Sequence, residues 1–191
     1  METPTPGKLV IISGPAGAGK STVLARVLEQ CVLPLELSVS ATTRQPRPGE
    51  IDGISYRFIT KDEFIERKNA REFLEWKEVF GLGHYYGTPR QAVTAGLNAG
   101  KWVVLEIDVE GAMMVLEPYP EAITIFIQPG SPEELERRLR ARGTETEAVI
   151  QRRLEVARKE MQVGAQYKHK VVNDTIDHAV QEICEILSRG E

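Results

Sequence analysis

Leu9-Val10-Ile11-Ile12-Ser13-Gly14-Pro15-Ala16-Gly17-Ala18-Gly19-Lys20-Ser21-Thr22 sets an apolar run directly against a glycine-rich turn. A short uninterrupted apolar run suits a strand buried on both faces. From Gly14 to Ser21 the turn matches G-x-x-x-x-G-K-[ST] in full. From 21 to 33 the residues Val23, Leu24, Val27, Leu28 and Cys31 then fall on one helical stripe. Strand, glycine-rich turn and amphipathic helix, in that order, make a phosphate-binding loop. The glycines let backbone N–H groups curl round phosphate oxygens, and the helix N-terminus adds the positive end of its dipole. Lys20 brings a point charge to the β and γ phosphates, and the Ser21 hydroxyl can reach a magnesium ion. The signal specifies a nucleoside triphosphate. By itself it does not separate a kinase from a GTPase or a motor.

Outward from this segment, apolar runs alternate with helical patterns. Residues 102–107, 123–127 and 171–172 read as further strands of an α/β fold with a mainly parallel sheet. Ser131-Pro132-Glu133-Glu134 starts one helix with a cap, a first-turn proline and a glutamate three residues on. Thr144-Glu145-Thr146-Glu147 repeats the capping pattern before a second helix. From 175 to 189 the residues Ile176, Ala179, Val180, Ile183, Ile186 and Leu187 line one helix face.

The chain has 191 residues, 41% hydrophobic and 27% charged, which fits one domain with a modest insertion. Its 24 basic and 28 acidic residues give a net charge of −4, against broad electrostatic binding to nucleic acid. No apolar run approaches the ~18 residues of a membrane span. The start, Met1-Glu2-Thr3-Pro4-Thr5-Pro6-Gly7, lacks a signal peptide's charged and apolar regions. A soluble, cytoplasmic protein is expected, with no membrane and no obligate protein partner. Cys31 and Cys184 lie far apart, with neither a disulfide framework nor zinc spacing. They are expected to be two buried thiols in a reducing compartment.

Residues 44–96 differ from the rest. Pro46, Pro48, Gly49 and Gly53 precede short mixed segments that carry Tyr56, Phe58, Phe64, Phe73, Trp76, Phe80, Tyr85 and Tyr86. The composition predicts an inserted substrate-binding subdomain with short strands and one helix near 62–70. Arg44 and Arg47 stand three apart on a proline-stiffened loop, where guanidinium forks suit phosphate oxygens. Tyr56 and Tyr86 can add hydroxyl donors. The pattern implies an acceptor that itself carries a phosphate. The short chain and the missing N-K-x-D base-reading motif favour a small-molecule kinase over a GTPase or a motor.

Five further motifs stand out: Ser38-Val39-Ser40-Ala41-Thr42-Thr43-Arg44 with Pro46-Arg47-Pro48-Gly49-Glu50, Glu72-Phe73-Leu74-Glu75-Trp76, Tyr85-Tyr86-Gly87-Thr88, Leu105-Glu106-Ile107-Asp108-Val109-Glu110-Gly111, and Arg142-Gly143-Thr144-Glu145-Thr146. Together they resemble the guanylate kinase family. They run in order over nearly the whole chain, from about 8 to 187. The resemblance implies a core at about 7–43, 97–135 and 166–191, a GMP-binding subdomain at about 44–96 and a helical lid at about 136–165. It implies phosphoryl transfer from ATP to GMP with Mg²⁺, in guanine nucleotide metabolism and recycling, with dGMP also accepted.

By residue, the resemblance puts ATP on Gly14, Pro15, Ala16, Gly17, Ala18, Gly19, Lys20, Ser21 and Thr22, with Arg138 and Asn173 beside it. Asn173 with Asp174 can equally form an ordinary turn. Ser40, Glu75 and Thr88 fall on guanine-reading positions. A carboxylate there accepts from guanine N1–H and N2–H, and the hydroxyls donate to O6. Adenine has no donor at N1 and would leave Glu75 unpaired. Arg44, Arg47, Tyr56 and Tyr86 fall on the clamp for the GMP phosphate. Asp108 sits at the end of a buried strand, for Mg²⁺ beside Ser21 or for guanine. Glu106, two residues earlier on the same face, would orient neighbours. Arg142 and Arg153 would close over the phosphates, with Arg152 an alternative to Arg153. The catalytic set is then Lys20, Arg44, Arg142 and Arg153. The segment 80–86 is about two residues longer than the family's usual F-G-N-Y-Y, and its glycines lengthen a hairpin. His84, His169 and His178 have no catalytic task, because a phosphate acceptor is already anionic. Two other readings are a non-catalytic interaction module of the same fold and a kinase for another phosphorylated molecule. The intact Lys20 and Ser21 oppose the first, and Glu75 with Ser40 opposes the second.

Overall fold

β1 (Leu9–Ser13) is buried along its whole length in the middle of a five-stranded sheet, as its apolar run requires. The computed structural model describes residues 7–79, 83–141 and 146–190. After β1 the chain runs α1 (Lys20–Gln30), β2 (Leu35–Leu37), β3 (Ala41–Thr42), β4 (Arg57–Phe58), α2 (Lys61–Asn69), β5 (Phe73–Val79), β6 (His84–Pro89), α3 (Arg90–Asn98) and β7 (Trp102–Glu106). There follow α4 (Val109–Leu116), β8 (Ile123–Pro129), α5 (Pro132–Arg140), α6 (Glu147–Gly164), β9 (His169–Asn173) and α7 (Ile176–Arg189).

The main sheet has the order β2-β7-β1-β8-β9, and every pairing in it is parallel. Side chains alternate across it. Val10 and Ile12 pack on one face with Val23, Leu24 and Val27 of α1 and with Val180, Ile183 and Leu187 of α7. Leu9 and Ile11 pack on the other with Val93 of α3, Val109, Ala112 and Val115 of α4, and Phe126. This is the expected α/β architecture, a parallel sheet with helices on both faces. Because the strands are parallel, their C-terminal ends share one edge. Ser13, Glu106, Pro129 and Asn173 all end there, at the edge where open α/β sheets bind ligands.

A second sheet, order β4-β3-β6-β5, is mixed, with β3 parallel to β4 and antiparallel to β6. Its core is aromatic: the Phe64 ring of α2 stacks on Phe73 at 4.5 Å and on Tyr85 at 5.3 Å. Thr60 caps α2 by accepting from the Glu63 N–H. The β5–β6 register passes from Phe73↔Pro89 to Trp76↔Gly87, so β5 carries one extra residue, a β-bulge. Phe73, Leu74 and Glu75 are therefore all buried. Phe73 enters the aromatic cluster and Leu74 the main core.

α5 and α6 share a small core of Leu135, Leu139, Ile150, Leu154 and Ala157. Ser131 caps α5 as its sequence predicts, accepting from the Glu134 N–H at 3.1 Å. Thr146 precedes α6 without a side-chain capping bond. Arg142, Thr144 and Glu145 lie outside the described residues, as does 80–82 of the lengthened hairpin.

The expectation of two thiols is corrected. Cys31 and Cys184 form a disulfide, with Cα atoms 5.5 Å apart and 153 residues between them in sequence. It joins the end of α1 to α7, which lie side by side on one face of the sheet. That adjacency is a product of the fold, so no cysteine spacing announces it. Among the described residues no helix is long and apolar enough to cross a membrane.

Candidate active site

Gly19, at φ 87°, stands directly before α1. A Cβ at that position would lie 2.5 Å from Asn173 Nδ2, so only glycine fits both the turn and the neighbour. No acidic residue occupies the first turn of α1, which leaves its N-terminal dipole to an anion. Lys20 folds back across its own loop and donates to the carbonyls of Gly14 at 2.5 Å and Pro15 at 3.2 Å. Ser21 Oγ donates to Glu106 Oε1 at 2.7 Å. Thr22 is exposed on the same first turn.

Asn173, at the end of β9, is buried and donates from Nδ2 to Ala18 O at 2.7 Å. Its Oδ1 is buried without a hydrogen-bond partner among the described residues. Arg138 of α5 donates to Ala18 O at 3.3 Å and Asn173 O at 3.1 Å, and pairs with Glu134 at 2.5 Å. The structure thus brings Lys20, Ser21, Arg138 and Asn173 round one loop.

Beside it opens a cavity of about 400 Å³ whose wall includes Ala16, Ser40, Tyr56, Glu75, Lys77, Tyr86, Glu106 and Asp108. Residues of the phosphate loop and of the second sheet share this wall, so a ligand here lies next to one held by the loop. Glu75, re-aimed by the bulge, is 6% exposed. Burial raises its pKa to about 7. The charge of Asp108 adds to the rise, while the Thr88 hydrogen bonds and the charge of Lys77 oppose it. Thr88 was expected to donate to a base. It is instead fully buried, and its hydroxyl donates to Glu75 Oε1 at 2.6 Å. Gly111 in α4 makes room for this carboxylate, since a Cβ there would come within 2.9 Å of Glu75 Oε2.

Tyr86, in the cavity wall, accepts at Oη from Arg44 Nε at 2.8 Å. Both terminal nitrogens of Arg44 bond Glu50, each at 2.9 Å. The Arg44 hydrogen bond, joined by the Arg47 N–H, pulls the Glu50 carboxyl down to about 2. The same pairing, against the opposing effect of burial, raises Arg44 above its ordinary value. Tyr56 packs edge-on to Tyr86 with ring centroids 5.8 Å apart, under the Arg44 guanidinium. Burial foremost, then the charge of Glu106, pushes the Tyr56 hydroxyl up. Arg47 is exposed on the same loop.

Asp108 was expected at the end of a strand. β7 stops at Glu106, and Asp108 caps α4, its Oδ1 accepting from the Gly111 N–H at 2.9 Å. Its Oδ2 accepts from Lys77 Nζ at 2.8 Å, and Lys77 also meets Glu110 Oε2 at 2.7 Å. Arg153 is half-buried on α6, while Arg152 is exposed and lines, with Lys159 and Glu160, a neighbouring cavity that shares Lys77, Val79 and Asp108 with the first. Arg142 lies outside the described residues. Sequence reasoning gave no role to Glu50, and passed over Lys77, although its place two residues after Glu75 on a strand was a usable signal. It also left Glu106 without a partner, which the structure supplies in Ser21.

The family model described as guanylate kinase matches residues 6–190. A guanylate kinase of Rhodopirellula baltica is 57% identical over 187 residues, covering 97% of this chain and 90% of that protein. One of Desulfitobacterium hafniense is 46% identical over 182 residues, covering 95% and 89%. Among solved structures, the guanylate kinase of Anaplasma phagocytophilum aligns with a TM-score of 0.79 at 32% identity, over 100% of this chain and 88% of that one.

Proposed function

The chain belongs to the guanylate kinase family, whose members transfer a phosphoryl group from ATP to GMP, and from that premise we propose how its residues divide the work. The observation that carries the proposal is the buried, bulge-aimed Glu75 in a cavity that shares its wall with the phosphate loop. The five-stranded core binds ATP, the segment at about 44–96 binds GMP, and the segment at about 136–165 is the lid.

Glu75 accepts from guanine N1–H and N2–H once it is ionised, Thr88 holds the carboxylate in place, and Ser40 donates to O6. Asp108 belongs to the guanine side, because its oxygens face the cavity wall with Lys77 and Ser21 bonds Glu106. Arg44 and Tyr86 clamp the GMP phosphate, with Tyr56 and Arg47 completing the clamp. An arriving phosphate competes with Glu50 for the Arg44 fork. The residues assigned to the acceptor touch only base and phosphate, which GMP and dGMP share, so dGMP is accepted too.

A GMP phosphate oxygen attacks the γ-phosphorus, and the bond from that phosphorus to the β–γ bridging oxygen breaks. The acceptor oxygen is already anionic, so no general base is needed. Lys20, with the N–H groups of 16–20, stabilises charge spread over the phosphoryl oxygens. Asn173 and Arg138 fix the loop from outside, and Arg142 with Arg153 closes over the phosphates.

Kinases that use ATP generally employ a divalent metal ion. Ser21 Oγ and Glu106 form a pair of hard oxygen donors at the loop, which suits Mg²⁺. They would hold it, and the ion would neutralise charge on the β and γ phosphates.

A coupled assay with ATP tests the assignment by offering GMP, dGMP, AMP, CMP and UMP in turn. The proposal expects GMP and dGMP to be used with kcat/KM at least about 10²-fold above AMP. Comparable use of AMP would overturn the base-reading assignment.

A further inference from the structure

Lys77 is the one cation among the described residues that line the acceptor cavity, and it stands there with the carboxylates of Glu75, Glu106 and Asp108. It follows Glu75 by two residues on β5, beyond the bulge, and both side chains reach the same cavity. Its ammonium donates to Asp108 Oδ2 at 2.8 Å and meets Glu110 Oε2 at 2.7 Å. The other Asp108 oxygen is held by the Gly111 N–H at 2.9 Å. Asp108 is therefore fixed from two directions, by a strand of the second sheet and by the first turn of α4. A carboxylate offers about four acceptor directions, so each oxygen keeps one for a ligand. Unpaired, the Asp108 charge would face two like charges across the cavity, which favours its turning to water.

We infer that Lys77 is a positioning residue for base recognition: it holds the Asp108 carboxylate against the cavity so that it accepts from the exocyclic amine of guanine. The inference rests on the reading of this cavity as the guanine site. Glu75 takes N1–H and one amine proton, and the second amine proton goes to Asp108. Lys77 touches no substrate in this arrangement and acts through Asp108.

The test compares Lys77→Met, Lys77→Arg, Asp108→Asn, the Lys77→Met/Asp108→Asn double variant and Glu75→Gln. It measures kcat and KM for GMP, and Kd for GMP and for IMP by calorimetry. IMP has guanine's N1–H and O6 but no exocyclic amine. Lys77→Met is expected to raise KM and Kd for GMP about tenfold. It should leave kcat and the Kd for IMP within about twofold of the wild type. Lys77→Arg restores GMP binding, and the double variant loses no more than Asp108→Asn alone. Equal losses for GMP and IMP, additive losses in the double variant, or wild-type GMP binding by Lys77→Met would each overturn the inference. If Lys77→Met does not fold, Lys77→Gln takes its place with the same expectations. The two levels separate cleanly. Unchanged GMP binding by Glu75→Gln defeats the reading of the cavity, whereas loss there with none at Lys77 defeats only the role of Lys77.

Discussion

Thr88 Oγ1 donates a hydrogen bond to Glu75 Oε1 at 2.6 Å, inside a wall where Glu75 is 6% exposed. Burial outweighs the opposing hydrogen bond, so the carboxyl titrates near neutrality, at about 7 against an ordinary 4.5. Guanine offers it donors, so binding needs the ionised form. GMP affinity should fall as pH drops through 7, by up to about tenfold per pH unit until the bound-state pKa is reached. The GMP phosphate, with a second pKa of about 6, titrates nearby. The Glu75→Gln variant isolates the carboxyl contribution, because it keeps the phosphate and loses the Glu75 step. Calorimetric Kd values between pH 5.5 and 8.5 check this, and identical profiles for the two proteins would contradict it.

The same shift has a stability consequence of definite sign. Between pH 4.5 and about 7 the folded chain keeps the Glu75 proton that the unfolded chain has lost. Stability from this group is therefore fully present below 4.5 and lost as pH rises through 7. The stability of Glu75→Gln relative to wild type should rise over that window by about 3 kcal/mol. Urea unfolding of both proteins at pH 4.5 and pH 8 measures it. A difference independent of pH would show that the carboxyl is not held protonated by burial.

Lys20 donates to carbonyls of its own loop, where the ATP phosphates are proposed to bind, so its loss is expected to fall on transfer. Lys20→Ala should lower kcat by at least about 10²-fold while the Tm barely changes. Near-normal turnover would remove the assignment of 14–21 as the ATP phosphate site.

The Cys31–Cys184 disulfide closes a loop of more than 150 residues. Chain-entropy arguments give such a crosslink about 2–5 kcal/mol. Cys184→Ser should lose stability in that range in urea unfolding and keep its KM for GMP, since the bond lies between α1 and α7, away from the acceptor cavity. Equal unfolding midpoints with and without reductant, with native thiols that titrate freely, would show the bond to be absent in solution.

What was legible in the sequence had local causes. The apolar run of β1, the glycine-rich loop and the Ser131 cap each depend on residues within one turn or one strand, and each forms as read; the α1 stripe holds through Leu28, but the helix stops at Gln30 and leaves Cys31 as an extended cap. The short strands and the helix near 62–70 of the inserted segment were likewise legible, whereas α3, which begins at Arg90 inside that segment, was not. What was hidden depends on residues brought together by the fold. The bulge at 74–75 breaks the two-residue alternation that would have placed Glu75, and it arises from β6, a separate stretch of chain. Ser21 meets Glu106, Lys77 meets Asp108, and Cys31 meets Cys184 across separations that no periodicity records. The short β2, β3 and β4 carry too few residues for any pattern.

The central claim is that Glu75 reads guanine, and the most direct measurement is kcat/KM for GMP and for AMP in wild type and Glu75→Gln. The amide turns one acceptor toward guanine into a donor, a mispairing that costs about 1–3 kcal/mol in a buried site. The account predicts a loss of about 10- to 100-fold for GMP with AMP left nearly unchanged. Equal losses for both nucleotides would show that Glu75 serves the fold and not the base, and would contradict the account.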